Sequence, residues 1–324
     1  MIDPVTFDQI VPNNGVVPVI RTPVAEAALA EDQMVLLNPL LYGFSLGDKI
    51  WGAFAASRLD KVNWNEAMVD SLVFSTERKD FIRDLVRHHG NRGDQGGFDD
   101  FVRDKGKGLI GLLAGPPGVG KTLTAEAVSE IAHRPLYMIS SGELGETSSS
   151  VQGQLMRVME LAETWKAVVL LDEADVFLAE RDDDSLSRNA IASIFLRHLE
   201  YYQGILLLTT NRLNSFDEAF QSRIHFCFEY GELDVSARKA IWTTFLDKAK
   251  TDTKVEIVLE EKDIAELAER ELNGRQIKNI VSISHAVAAE RKTPITRDSV
   301  MVALGFAKTS WKKKGEAASG KAPE

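Results

Sequence analysis

Five short apolar runs recur through the middle of the chain, at 108–114, 135–141, 167–173, 204–211 and 225–230. Each is short and bounded by polar or turn residues. That pattern predicts strands of a parallel sheet buried on both faces. The intervening stretches 122–132 and 155–164 carry apolar residues at helical spacing. Repeated strand–helix units predict a doubly wound α/β layer, its crossover helices covering both faces of a five-stranded parallel sheet. After Gly231 the pattern changes. Residues 235–250, 262–271, 274–291 and 296–304 all read as helices, with Ser236 and Thr296 as caps and Pro294 between the last two. A small all-helical domain is predicted over 232–306.

Upstream the pattern is weaker. Pro4, Pro12, Pro18, Pro23 and Asn13-Asn14-Gly15 punctuate residues 1–30 too often for a long helix or a central strand. Residues 31–64 alternate short apolar groups with Gly and Pro, as a small appended element or the edge of a larger domain would. Residues 70–89 predict a helix, with Ser75 placed to cap it and Glu77 and Asp80 in its early turns. Residues 90–100 read as a loop. The expected organisation is an N-terminal extension or remnant of a preceding domain (1–60), an α/β domain (61–231), a helical domain (232–306) and a flexible tail (307–324).

Composition narrows the class. Of 324 residues, 44% are hydrophobic and 27% charged, which excludes a disordered, collagen-like or rod-like chain. The net charge of −10 counts against general nucleic-acid binding, because phosphate contacts need a basic surface. The one compact basic run is Lys312-Lys313-Lys314. No secretory signal pattern opens the chain, and no apolar run approaches the roughly 20 residues needed to span a bilayer. A soluble, intracellular protein is expected, with cytoplasm and nucleus not distinguished. The single Cys227 excludes an intramolecular disulfide and a cysteine zinc cage. Its apolar strand context predicts a buried thiol. Trp165, Tyr201 and Tyr202 read as packing residues, and the histidines show no metal-ligand spacing.

One segment changes the picture: Gly115-Pro116-Pro117-Gly118-Val119-Gly120-Lys121-Thr122, continuing into Leu123. It fits the phosphate-binding pattern of Gly, four residues, Gly, Lys and Ser or Thr, between a predicted strand and a predicted helix. The glycines let backbone N–H groups curl around a phosphate. Lys121 supplies a charge to the β- and γ-phosphates. The Thr122 hydroxyl can ligate Mg²⁺, and the helix N-terminus adds partial positive charge. A second apolar run ends in Asp172-Glu173. Asp172 is placed to hold Mg²⁺, and Glu173 to orient or deprotonate an attacking water. A third ends in Asn211, which can donate to the γ-phosphate or position the water without adding repulsive charge. Arg223 could reach a phosphate as a finger. Gly274 would allow close approach to a base, and Arg275 could reach phosphates.

Together these residues resemble the AAA+ ATPase superfamily, and within it the AAA-type group, over roughly residues 60–306. Narrower likenesses to a family of fungal AAA-type ATPases lie in Tyr42-Gly43-Phe44-Ser45-Leu46-Gly47, Glu163-Thr164-Trp165, Leu199-Glu200-Tyr201-Tyr202-Gln203-Gly204 and Phe220-Gln221-Ser222-Arg223-Ile224-His225. The resemblance implies a P-loop αβα sandwich with a helical lid that binds ATP or ADP with Mg²⁺. It casts Lys121 and Thr122 as the Walker A pair and Asp172 and Glu173 as the Walker B pair. Asn211 becomes sensor 1, Arg223 an arginine finger and Arg275 sensor 2. It also implies a homo-oligomeric ring, usually a hexamer, with each site at a subunit junction and a protein client as partner.

Two departures qualify it. The loop 142–150 is serine-rich and offers no aromatic ring to grip a threaded peptide. Only Arg223 stands in the finger segment, although Arg181 and Arg188 in or beside an acidic loop could face another subunit. A remodelling ATPase is the first expectation; a slow nucleotide-gated switch or assembly scaffold is the alternative.

Overall fold

The computed structural model describes residues 1–11, 38–90, 106–145, 147–178, 186–212, 218–252 and 255–312. Near the N-terminus lie helix α1 (Pro4–Ile10) and an antiparallel hairpin, β1 (Leu40–Ser45) and β2 (Ile50–Ala55). A 3₁₀ turn (Glu66–Ser71) leads into α2 (Thr76–Gly90), which starts later than the predicted 70–89. Then β3 (Leu109–Ala114), α3 (Lys121–Ala132), β4 (Leu136–Ser140), short α4 (Ser141–Leu144), α5 (Ser148–Thr164) and β5 (Val168–Asp172) alternate. The chain continues through α6 (Asp175–Leu178), α7 (Leu186–Tyr201), β6 (Ile205–Thr210), α8 (Glu218–Gln221) and β7 (Phe226–Glu229).

The five strands β3 to β7 form one parallel sheet in the order β4-β5-β6-β3-β7. The strands read as continuous apolar runs because both faces are buried. Alternation then sorts their side chains. Ile110, Leu112, Val169, Leu171, Leu206 and Leu208 face α5 and α7. Leu109, Leu113, Val168, Leu170, Ile205 and Leu207 face α2 and α3. This is the αβα sandwich expected of a P-loop NTPase, followed by a helical C-terminal region.

That region holds α9 (Val235–Asp252), α10 (Glu261–Ala268), α11 (Gly274–Arg291) and α12 (Arg297–Lys312) around Trp242, Leu246, Ile277, Ile280 and Val300. It is not purely helical: β8 (Ile257–Val258) and β9 (Ile295–Thr296) pair in parallel. Pro294 interrupts the helical run as predicted, and the residues after it extend to pair before α12 begins. Helix α12 also runs past the predicted limit of 306, to Lys312. Its apolar positions Val300, Ala303 and Leu304 anchor it in the core.

The N-terminal elements are packed on the sheet domain rather than set apart. Asp3 N–H donates to Tyr42 O at 3.0 Å, and Phe44 N–H to Met1 O at 2.8 Å. Trp165 Nε1 donates to Asp3 Oδ2 at 2.8 Å. Phe7, Tyr42, Phe44, Trp51, Tyr137 and Trp165 stack into one aromatic cluster with neighbouring ring centroids 5.0–6.4 Å apart. Trp165 and Tyr202 are buried as expected, whereas Tyr201 is exposed because it ends α7 one position beyond the buried face. Cys227 is exposed too, against expectation: β7 is an edge strand, and its 227 position lies outside both core clusters.

Candidate functional site

Parallel strands deliver their C-terminal ends to one edge of the sheet, and ligands of such folds bind in the crevice there. Ala114 pairs with Thr210, and Gly115 N–H donates to Thr210 O at 3.1 Å. The loop after β3 and Asn211 therefore leave the sheet side by side. Lys121 Nζ donates to Asn211 Oδ1 at 2.7 Å, to Gly115 O at 2.6 Å and to Pro116 O at 2.9 Å. Burial holds the Lys121 amine below its ordinary value. Asp172 and Asp175 pull it back up, Arg275 pushes it down, and Glu173 adds a weaker upward pull. These residues thus share one electrostatic neighbourhood. Pro117 is exposed, while Gly118, Val119, Gly120, Thr122 and Leu123 are partly buried around the loop.

Asp172 ends β5. The Thr209 hydroxyl, on β6, donates to Asp172 Oδ1. Thr209 Oγ1 in turn accepts from Glu173 N–H at 3.0 Å, and Thr209 O accepts from Ala174 N–H at 2.8 Å. Glu173 is exposed and sits in the left-handed region at φ 57°. That conformation costs a non-glycine residue roughly 1–2 kcal/mol.

The helical region closes on the same loop. Gly274 N–H, at the start of α11, donates to Gly118 O at 2.9 Å. Asn273 caps α11: its Oδ1 accepts from Gln276 N–H at 2.9 Å, and Gln276 Oε1 accepts from Asn273 N–H at 2.9 Å. Gly118 has φ 80°, and a Cβ there would lie 2.8 Å from the Asn273 side chain. A Cβ on Gly274 would lie 2.9 Å from Gly118 O. Arg275 is exposed beside this contact. Beneath the loop, Tyr230 shares a 2.6 Å hydrogen bond between its hydroxyl and that of Thr124. Burial pushes the Tyr230 hydroxyl well above its ordinary value.

Arg223 lies elsewhere. It precedes β7, at the N-terminal edge of the sheet, whereas the phosphate-type loop leaves the opposite edge. A five-residue strand spans roughly 17 Å. Its Nη1 donates to Ala219 O at 2.8 Å and to Ser222 Oγ at 3.2 Å, and Nη2 stands 3.7 Å from Glu200 Oε1. Its Nε is buried with no hydrogen-bond partner. Lys121, Asp172, Glu173, Asn211, Gly274 and Arg275 are thus brought together, and Arg223 is not. Arg181 lies outside the described residues, as does the side chain of Arg188.

The donor set fits a nucleotide with Mg²⁺. The loop offers a left-handed, Cβ-free cradle at Gly118 and Gly120, with φ 80° and 107°. Thr122 and Asp172 provide hard oxygens. Among the described residues no group of three or more His, Cys, Asp and Glu could hold a metal alone. Mg²⁺ suits such a site, because it takes one or two protein oxygens and completes its shell with phosphates and water.

Reading the sequence missed Thr209, Asn273 and Tyr230. A signal existed for two of them: Thr209 is a polar residue inside a buried run, and Asn273 with Gln276 has capping-box spacing.

The sheet order, the loop between β3 and α3 and the carboxylate at the tip of β5 define a P-loop NTPase-like fold. Residues 111–232 match the family described as "ATPase family associated with various cellular activities (AAA)". This part of the chain is therefore similar to a AAA-type ATPase domain. The chain is similar to an "ATP-dependent zinc metalloprotease FtsH" of Lachnoclostridium phytofermentans, 26% identical over 58% of this chain and 34% of that one. It is also similar to a "Proteasome-activating nucleotidase" of Sulfurisphaera tokodaii, 28% identical over 59% of this chain and 50% of that one. A third relative is the human "ATPase family AAA domain-containing protein 3B", 27% identical over 59% and 32%. The matches cover a third to a half of the length of these relatives. No helix of the described residues is long and apolar enough to cross a membrane.

Proposed function

We propose that the chain binds ATP with Mg²⁺ in the crevice at the C-terminal edge of the sheet and hydrolyses it. The observation that carries this reading is the convergence of Lys121, Asn211, Asp172 and Glu173 at the ends of adjacent strands β3, β5 and β6. Residues 115–123 hold the phosphates, and Lys121 exchanges its loop carbonyls for phosphate oxygens. Thr122 and Asp172 hold the metal, which neutralises charge on the phosphates. Glu173, raised on its left-handed turn, takes the proton of the attacking water. Asn211 aligns that water. Gly274 and Arg275 carry the helical region onto the nucleotide as a lid, so residues 61–231 and 232–306 act as two units around it.

Arg223 is engaged within its own subunit and stands at the far edge of the sheet. We therefore assign it to a neighbour's site in a homo-oligomeric ring, for which a hexamer is the family's usual form. An arginine finger is typically worth about 10³–10⁵ in rate, so a lone subunit should turn over slowly. The narrower likeness to fungal AAA-type ATPases, carried by segments such as Leu199–Gly204 in sequence, fits this picture and adds no client. An intracellular, soluble protein acting on another protein rather than on nucleic acid is the accompanying proposal.

Remodelling of a protein client is the first reading. The alternative, a slow nucleotide-gated switch or scaffold, is favoured by one feature. Where threading motors carry an aromatic ring, this chain forms short α4 and a Thr147–Ser150 capping box. The deciding experiment traps a partner on Glu173→Gln in ATP and then asks whether the parent unfolds or merely releases that partner. A Glu173→Gln protein that hydrolyses ATP at the parental rate would overturn the assigned base.

A further inference from the structure

We infer that Thr209 is a positioning residue that holds the acid pair Asp172-Glu173 in its working geometry; this rests on the nucleotide-site reading above. Thr209 and Asp172 belong to adjacent strands, with Leu171 paired to Leu208. By alternation, Asp172 shares the sheet face of Val168 and Leu170, and Thr209 that of Ile205 and Leu207. This is the face on which α3 and Lys121 lie. Thr209 is 1% exposed, so its hydroxyl has no water to serve and must be satisfied by the protein.

A buried strand threonine could satisfy its hydroxyl anywhere along its own strand. This one reaches across the sheet and bonds twice. As donor it orients the carboxylate of Asp172, and as acceptor it holds Glu173 N–H. The Thr209 carbonyl adds a third bond, to Ala174 N–H. The turn so fastened is the strained one, since Glu173 has φ 57°. The β-branched side chain restricts χ1 and pre-aims the hydroxyl. The neighbouring Thr210 performs a parallel task on the other side, its Oγ1 accepting from Arg212 N–H at 2.9 Å to shape the turn that presents Asn211.

A donated hydrogen bond fixes which carboxylate oxygen of Asp172 remains for a metal. Losing such a partner typically costs about 10–100-fold in metal affinity or activity. The test uses the full chain and three variants. Thr209→Val keeps shape and removes the hydroxyl, Thr209→Ser keeps the hydroxyl, and Thr209→Ala removes both without adding bulk. Two quantities are read: kcat and KM for ATP, and the affinity for a fluorescent ADP analogue as Mg²⁺ is titrated.

The expected result is a fall in kcat of about 10–100-fold for Thr209→Val with KM close to parental. The Mg²⁺ concentration that gives half of the metal-dependent gain in ADP affinity rises, while Thr209→Ser restores both readouts. Thr209→Ala replaces the valine variant if the latter melts early. Parental behaviour of Thr209→Val in both readouts overturns the inference. So does an equal loss in Thr209→Ser and Thr209→Val with parental melting temperatures, which would assign the effect to packing. A parent chain that binds no ADP analogue, or an Asp172→Ala variant with parental Mg²⁺ dependence, would defeat the nucleotide-site reading instead.

Discussion

Gly118→Ala tests the contact between loop and helical region, and its cost can be worked in two parts. The first is conformational: φ 80° is a left-handed position, which costs an alanine roughly 1–2 kcal/mol. The second is steric. The new Cβ would stand 2.8 Å from the Asn273 side chain, which is pinned because its Oδ1 caps α11. Displacing that cap costs about 0.5–2 kcal/mol. Gly120→Ala supplies the comparison, because φ is 107° there but nothing lies within 4 Å of the added Cβ. Gly118→Ala should therefore destabilise by about 1.5–4 kcal/mol and Gly120→Ala by the conformational part alone. Denaturant unfolding measures both. In an Asn273→Ala background the two 2.8 Å contacts go and only a 3.2 Å approach to the residue-273 Cβ remains, so the double-mutant cycle should show coupling of up to about 2 kcal/mol. Additive effects at positions 118 and 273 would refute the reasoning, since the contact would then carry no energy.

Arg223→Ala subunits mixed with Lys121→Ala subunits should recover part of the ATPase activity, because an intact loop and an intact Arg223 can meet at one junction; no recovery at any ratio argues against a finger in trans. ATPase activity per subunit should rise steeply with protein concentration, and a flat profile would count against a shared site. Trp165→Phe leaves Asp3 Oδ2 without its Nε1–H donor at 2.8 Å, and a hydrogen bond to a charged group is worth about 1.5–3 kcal/mol. Its unfolding midpoint should fall, with the N-terminal segment cut first in limited proteolysis; parental resistance would show that the contact holds nothing. Burial raises the Glu143 carboxyl, but Lys49 at 2.5 Å and the Ser140 N–H outweigh it and hold it below 4.5. Its folded value is thus below the unfolded one, so the stabilisation is present above pH 4.5 and is lost as pH falls through the folded value. Glu143→Gln should lose less stability than the parent on acidification, and an equal loss would remove Glu143 from the account.

The sheet was legible because both of its faces are buried. Each strand is then a continuous apolar run, and all five predicted runs contain an observed strand. The candidate site residues were legible because they stand where such runs stop: Asp172 and Asn211 interrupt apolar sequence at the strand tips. Thr209 was not, because a threonine inside a strand also reads as a β-branched strand former, and only the register of β5 on β6 gives its hydroxyl a partner. Cys227 was misread for a related reason. Its run is apolar, but pairing makes β7 an edge, and no local pattern says which strand ends the sheet. The place of Arg223 is likewise a matter of topology, since strand direction alone puts it opposite the loop.

The hairpin β1–β2 shows the limit most plainly. Its glycines and Asn38-Pro39 left an appended element and the edge of a larger domain both open, and its aromatic side chains complete the cluster around Trp165 and Tyr137. Those rings come from 86 or more residues further along the chain, the separation of Trp51 and Tyr137 in sequence. Local periodicity cannot encode such a contact. The hairpin turn also carries Lys49, which ion-pairs with Glu143 at 2.5 Å. Glu143 Oε2 in turn accepts from Ser140 N–H at 2.8 Å, and Ser140 pairs in register with Asp172. A movement of the hairpin therefore has a short physical path to the end of β5, through one ion pair, one cap and one strand pairing. Lys49→Met breaks the first link while leaving the sheet residues in place. If the hairpin steadies the site, this variant should lower kcat without weakening ADP binding. An unchanged kcat together with a lowered melting temperature would confine the hairpin to a packing role.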